Sequence, residues 1–525
     1  MRQGSLRTHL RRWARGKKTL WTLNGLLLII CLSLLVDTYW DRLSSESSSL
    51  LESDDGNGSP VGYAMSGRNR AKPSQPLRQP RVPSTGTYSR RRATRSGSDP
   101  KGGVLKPMGP AYCTADQYAN GTWEARPRPP KTLAEIRKLN SLSASGAMGC
   151  HPLQWPIETK GEPAYDEPAH LDRMVQAAAY HWVPAEGCRR RELAASVLVK
   201  RLLRSKGGMF IVGDSLTEQH AVILRNLLVY PGGPFEVTGY GDRPRFEGIM
   251  LNRDHPHTPE ILRSAGVAAS RCDTPIVSMY LERHLISREE MDEVMRGAEG
   301  NGYIPFSSGK GLEQWVAESI WYKEYVKVMT GPEVEVDPDV AVEENTVLVL
   351  NSGPHWVNYE FTTKEVDFYP ELLDGWENTI ELLLKKIADV PAAKQSVFWR
   401  ATAPGHPHCE LSTTAEKRTD FRSTTDPNFM RYNWDLFEQL NSRWKNRLGG
   451  GPGGPGRDVA TGMQYLDIWP MSVQRPDSHL LPPNDCLHYC YGLGGVVEEW
   501  QKFLWHNVAA QSRNSDYHVD RPAYH

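Results

Sequence analysis

The sequence predicts an α/β domain with a mostly parallel sheet covered on both faces, and three observations carry that prediction. Short apolar, β-branched runs recur at Met209–Val212, Pro275–Tyr280, Thr346–Leu350, Ser396–Trp399 and Met463–Ile468. Helical patterns lie between them, at Leu193–Leu203, Thr217–Leu228, Leu312–Val328, Tyr369–Ile387 and Trp434–Arg447. Composition is globular from about Ala111 to His506. Strands that alternate with helices read as parallel strands joined by helical crossovers.

Taken in order, residues 2–18 hold seven basic residues and no acid. Leu20–Val36 is apolar except for Thr22, Asn24 and Ser33, with Trp21, Tyr39 and Trp40 at its edges. From Leu20 to Trp40 a helix spans roughly 30 Å, one bilayer crossing. The basic cluster keeps the N-terminus cytoplasmic and places the rest on the lumenal side. No small-x-small site closely follows Val36, which favours a signal-anchor over a cleaved signal peptide. The expected organisation is a cytoplasmic tail (1–18), a transmembrane anchor (19–40), a disordered stem (41–108), a lumenal catalytic domain (109–510) and a flexible tail (511–525).

The stem is rich in Ser, Gly, Pro and Arg and lacks the apolar content to offset its ordering entropy. The tract Gly449–Gly456 reads as a surface loop before the last strand. Lys plus Arg and Asp plus Glu both total 62, which points to no nucleic-acid partner and no strongly charged substrate. Outside the anchor lie Cys113, Cys150, Cys188, Cys272, Cys409, Cys486 and Cys490, scattered and without CxxC pairs, as disulfides in an oxidising compartment would be. Their odd number leaves at least one thiol free or shared between chains. Asn57 and Asn120 head glycosylation sequons.

The chemistry-bearing residues cluster at run ends. Gly213-Asp214-Ser215-Leu216 ends the run Met209–Val212, so Ser215 is either a nucleophile at a strand-to-helix turn or the cap of the following helix. Amides at that helix start would face an oxyanion. Asp485 precedes His488 by three residues, which allows a carboxylate to orient an imidazole; Cys486 and Cys490 would pin the loop. Serine, acid, histidine is one of the chain orders serine acyl chemistry adopts. Asn351 and Gly353 follow Thr346–Leu350, where the Asn either donates to an oxyanion or caps a turn.

These blocks resemble, in order, the plant-type polysaccharide O-acetyltransferases, the trichome birefringence-like proteins of the PC-esterase branch of the GDSL/SGNH superfamily. The matching stretches are Tyr118–Trp123, His181–Pro184 with Cys188, Phe210–Leu216, Val347–Trp356, Val397–Pro404, Leu466–Ile468 and Asp485–Cys490. Pro354 before His355 and Tyr489 in place of Trp depart from the family pattern. The resemblance implies an SGNH-like three-layer α/β/α sandwich. It implies Ser215, Asp485 and His488 as the catalytic residues. Gly213, Asp214, Asn351, Gly353, His355 and Arg400 become candidates for oxyanion or substrate contacts. It further suggests the pairs Cys113–Cys188, Cys150–Cys490 and Cys409–Cys486, leaving Cys272 over.

His255 with His257, and His406 with His408, Cys409 and Glu410, invite a metal reading, but Pro between the histidines restricts each backbone and no second compact cluster completes a site. Some of the sixteen tryptophans are candidates for a sugar-binding cleft, most for the core. The expectation is a Golgi-type single-pass membrane enzyme that moves acetyl groups onto hydroxyls of a polysaccharide or glycan. It would bind no cofactor and use acetyl-CoA or a secondary acetyl carrier as donor. A carbohydrate esterase and a non-catalytic glycan-binding protein are the alternatives.

Overall fold

A computed structural model describes residues 111–132, 134–136, 167–185, 187–230, 232–239, 246–296, 319–361, 369–416, 432–449, 456–492 and 494–514. The anchor, the stem, Asn57 and Cys150 lie outside them. Among the described residues no helix is long and apolar enough to cross a membrane.

The chain opens with a small antiparallel pair, β1 (Thr122–Ala125) and β2 (Tyr180–Val183). A seven-stranded sheet follows: β3 (Met209–Gly213), β4 (Phe235–Gly239), β5 (Phe246–Leu251), β6 (Val277–Leu281), β7 (Thr346–Leu350), β8 (Gln395–Arg400) and β9 (Gln464–Leu466). A second pair, β10 (His479–Leu481) and β11 (Asp485–Tyr489), comes last. The seven strands lie in the order β4-β5-β6-β3-β7-β8-β9. Strands β6, β3, β7, β8 and β9 are mutually parallel, while β5 runs antiparallel to β6 and β4 antiparallel to β5. The fold is therefore α/β with a mostly parallel central sheet, as the sequence predicts.

Every residue of β3, β7 and β8 is buried. Continuous runs such as MFIVG and TVLVL suit strands covered on both faces. The edge strand β4 instead exposes Glu236 and Val237, and the sequence pattern did not reveal the β4–β5 hairpin. Chain order reverses around β3, whose neighbours β6 and β7 come later on opposite sides. Such a reversal opens a crevice at the carboxyl ends of parallel strands. Ser215 and Asn351 stand just past the ends of β3 and β7.

The helices before, between and after these strands include α1 (Ala195–Leu203), α2 (Ser215–Leu228), α3 (Trp321–Thr330), α4 (Tyr369–Ala388), α5 (Phe437–Arg447) and α6 (Val496–Ala510). Trp434–Leu436, expected as the start of α5, is a separate 3-10 turn. The tryptophans are core: Trp399 stacks on Trp444 at 3.8 Å, and Trp376 packs edge-on against both Trp356 and Trp399. Among the described residues every tryptophan but Trp469 is buried, so they hold no wall of tryptophans for a sugar.

Cys113–Cys188 and Cys409–Cys486 form disulfides, and Cys272 is free and buried. Cys490 is also disulfide-bonded, but Cys150, its expected partner, lies outside the described residues. Asn120 is exposed, as a glycosylation site requires. The tail drawn from residue 511 begins as docked chain. Buried Asn514 exchanges hydrogen bonds with Val342, and the backbone N–H groups of Arg513 and Asn514 donate to Glu344.

Candidate active site

The serine turn is built by three neighbours. Gly213 closes β3 against the next loop, where an added Cβ would lie 2.3 Å from the Asn351 carbonyl and 2.4 Å from Thr217 Oγ1. Only glycine fits. Asp214 then caps α2, its Oδ1 accepting from Leu216 N–H at 3.0 Å. Ser215 is the first residue inside the helix, so the capping role considered for it belongs to its neighbour. Its hydroxyl is left to face His488, with Oγ 2.6 Å from Nε2. The Thr217 and Glu218 amides donate to the Asp214 carbonyl, which leaves the N–H of Ser215 as the remaining donor of this first turn among the described residues.

The acid and base stand on β11. Asp485 Oδ1 accepts from the backbone N–H groups of Leu487 at 3.1 Å and His488 at 3.0 Å, so the carboxylate is fixed by its own turn. Oδ2 lies 2.8 Å from His488 Nδ1. With the Nδ1 proton donated there, the Nε2 lone pair faces Ser215 Oγ–H. Burial would raise the Asp485 carboxyl, but the hydrogen bond and charge of His488, with the two amides, hold it at about 2. Burial opposes a charge on His488, and Asp485 outweighs it, raising the imidazole above its usual value.

Two ties hold β11 to the serine turn. Gln219, one helical turn beyond Ser215 and fully buried, donates to the Tyr489 carbonyl at 2.7 Å and accepts from its N–H at 3.1 Å. The Cys409–Cys486 disulfide fixes the strand to the loop after β8, beside the bond from His406 N–H to the Cys486 carbonyl at 2.9 Å. Sequence reasoning missed Gln219. Its signal was a polar residue four positions after Ser215, on the same face of a predicted helix.

The remaining candidates are mostly framework. Asn351 donates both amide hydrogens backwards, to the Arg400 carbonyl at 3.0 Å and Thr402 Oγ1 at 3.2 Å. Its Oδ1 accepts from Arg400 Nη2 at 2.6 Å and Thr217 Oγ1 at 3.1 Å. In this arrangement it has no hydrogen left for an oxyanion. Arg400 is buried beneath Trp500 and also donates to the Leu216 carbonyl at 3.1 Å; burial lowers its guanidinium to about 10. It holds the start of α2 and does not reach solvent. Gly353 makes room for Thr402, whose Oγ1 would be 2.2 Å from an added Cβ.

His355 is buried too, though less completely than Asn351 and Arg400. Its Nδ1 donates to Glu360 Oε1 at 2.7 Å, and the His284 Nε2–H donates to its carbonyl at 3.1 Å. Burial raises the Asp214 carboxyl, against the pull of His355 and then Arg400. Burial pushes the His355 imidazole itself down despite Glu360.

The metal motifs resolve into other contacts. His255 and His257 form an exposed turn in which His257 N–H donates to His255 Nδ1 at 3.2 Å. Among the described residues one group brings three ligand-type atoms together, Cys409, Glu410 and Cys486, and both sulfurs are in the disulfide.

A buried strand end therefore presents a serine to an imidazole that a carboxylate orients, a relay able to turn a hydroxyl into a nucleophile. Comparison of the chain with known protein families and with curated proteins finds no match in either.

Proposed function

We propose that this chain is a membrane-anchored O-acyltransferase that moves acetyl groups onto hydroxyls of a polysaccharide or glycan, on an SGNH-like three-layer α/β/α fold of the PC-esterase type. The relay Ser215–His488–Asp485, with steps of 2.6 and 2.8 Å, is the observation that supports this most directly. In the first half-reaction Ser215 Oγ attacks the acyl carbonyl while His488 takes its proton. The bond to the donor's leaving group breaks, and His488 returns the proton to that group. In the second, the sugar hydroxyl gives its proton to His488 and attacks the acyl-serine carbonyl. Ser215 departs and recovers the proton. Asp485 holds the productive tautomer throughout. The Ser215 N–H is the donor offered for the oxyanion. The basic residues and apolar run near the N-terminus support a Golgi-type anchor with this domain in the lumen.

The test is incubation of the full-length chain in detergent with an acetyl donor and a panel of glycans, followed by mass spectrometry of the products and of the Ser215 peptide. Acetylated glycan with a transiently acetylated Ser215 is the expected result. Acetate without acetylated glycan assigns an esterase, and glycan binding without either product assigns a binding protein. Activity that survives Ser215→Ala removes the relay from the mechanism.

A further inference from the structure

Behind the relay lies a second pair of histidines that the mechanism above does not use. His406, from the motif after β8, and His479, which opens β10, are both wholly buried, with Nδ1 of His406 2.6 Å from Nε2 of His479. Their outer nitrogens face backbone carbonyls. His406 Nε2 is 3.1 Å from the Val473 carbonyl, and His479 Nδ1 is 3.1 Å from the carbonyl of His488. A carbonyl oxygen only accepts, so both outer nitrogens carry hydrogen. If both rings were neutral, the inner nitrogens would then meet lone pair to lone pair at hydrogen-bonding distance.

We propose that His406 and His479 share a single extra proton, and that this proton positions the general base by holding His479 in the orientation that grips the His488 carbonyl. The pair takes one proton and not two. Burial, and then the charge of His406, push a proton on His479 itself well below the usual imidazole range. The other charges acting on His479 are Asp485, which favours a proton there, and Arg173, which opposes it. The ring of Tyr489 lies 4.4 Å from that of His479 and 6.3 Å from that of His406. Loss of the shared proton at high pH sets two lone pairs against each other, turns His479 and frees the peptide that carries His488. His406 and His479 are thus positioning residues acting through His488.

The proposal rests on Ser215 being a nucleophile activated by His488, and two readouts separate the claims. The first is the rate at which an alkyl fluorophosphonate labels Ser215 in the full-length chain, followed against pH. The wild type should show a limb that falls about tenfold per pH unit on the alkaline side, the slope of one lost proton. His479→Asn keeps a donor toward the His488 carbonyl and needs no shared proton, so it should label as fast as wild type at the optimum and lack that limb. His479→Ala should label slowly at every pH. The second is the nitrogen-15 spectrum of histidine-labelled protein, with the two rings assigned by these variants and His406→Gln. One proton should leave both rings together at the midpoint of the alkaline limb. Rings that titrate separately, or an alkaline limb that persists in His479→Asn, overturn the proposal. No labelling of Ser215 in the wild type, with the shared proton still present in the spectrum, overturns the nucleophile instead.

Discussion

Asp485 takes three hydrogen bonds, two from its own turn and one from His488, and so fixes both the place and the basicity of the imidazole. Since His488 is raised above its ordinary value, near 6.5, and as the proposed base would act only when neutral, kcat/KM for acyl transfer should fall with acidity through a midpoint above that value. Asp485→Asn should shift this midpoint downward and lower kcat by about four orders of magnitude through the wrong tautomer. An unmoved midpoint in the pH–rate profile would remove Asp485 from the relay. The depressed Asp485 carboxyl also contributes stability that is present above its unfolded value, near 3.9, and lost as pH falls toward about 2. Gln219 acts one step further back. Gln219→Glu keeps an acceptor for Tyr489 N–H but sets a carboxylate against the Tyr489 carbonyl. It should lower kcat roughly 10- to 100-fold with KM nearly unchanged, as a displaced base does. A rise in KM alone would show that Gln219 supports binding instead.

Among the elements, β11 is the most exposed to error. It is five residues long, is paired in its small sheet only with β10, and carries both acid and base. The disulfide Cys409–Cys486 closes a separation of 77 residues, so replacing both cysteines by serine should cost about 2–4 kcal/mol. A thermal melt would show that loss, and activity should drop more than stability predicts because β11 carries the site. Equal stability would mean that Gln219 and the backbone bonds suffice. The strands β3 and β7 were legible because burial on both faces keeps them almost wholly apolar, and β8 through its Val397-Phe398-Trp399 centre, although Gln395, Ser396 and Arg400 are buried polar residues. The β4–β5 hairpin was not, because the edge strand FEVTG mixes polar and apolar residues and FEGIML, paired on both sides, buries a glutamate and a glycine. The relay was legible as three residue types in a known order. The role of Asn351 was not, since an amide that donates to a substrate and one that donates to a strand have the same sequence. The structure separates them through Arg400 and Thr402.

On the scale of the molecule, the sheet brings together residues that are distant in the chain. Ser215 and His488 are 273 positions apart, and the last described residues also close on the middle of the chain. Glu344, buried beside Arg201 at 3.4 Å, accepts from the backbone N–H groups of Arg513 and Asn514, each at 3.2 Å. A chain ending at Ala510 should lose about 1–3 kcal/mol, because that carboxylate loses its donors from Ser512, Arg513 and Asn514. A melting temperature equal to that of the full chain would show that the segment after α6 is dispensable. The same separation has a consequence for biogenesis. As the chain emerges from the ribosome, every strand of the large sheet, from β3 to β9, comes out before the base does. A product cut short before residue 485 therefore contains that whole sheet and no activated hydroxyl. On the proposed function, reactivity at Ser215 therefore arises only once residue 488 has been made, later than every strand of the large sheet.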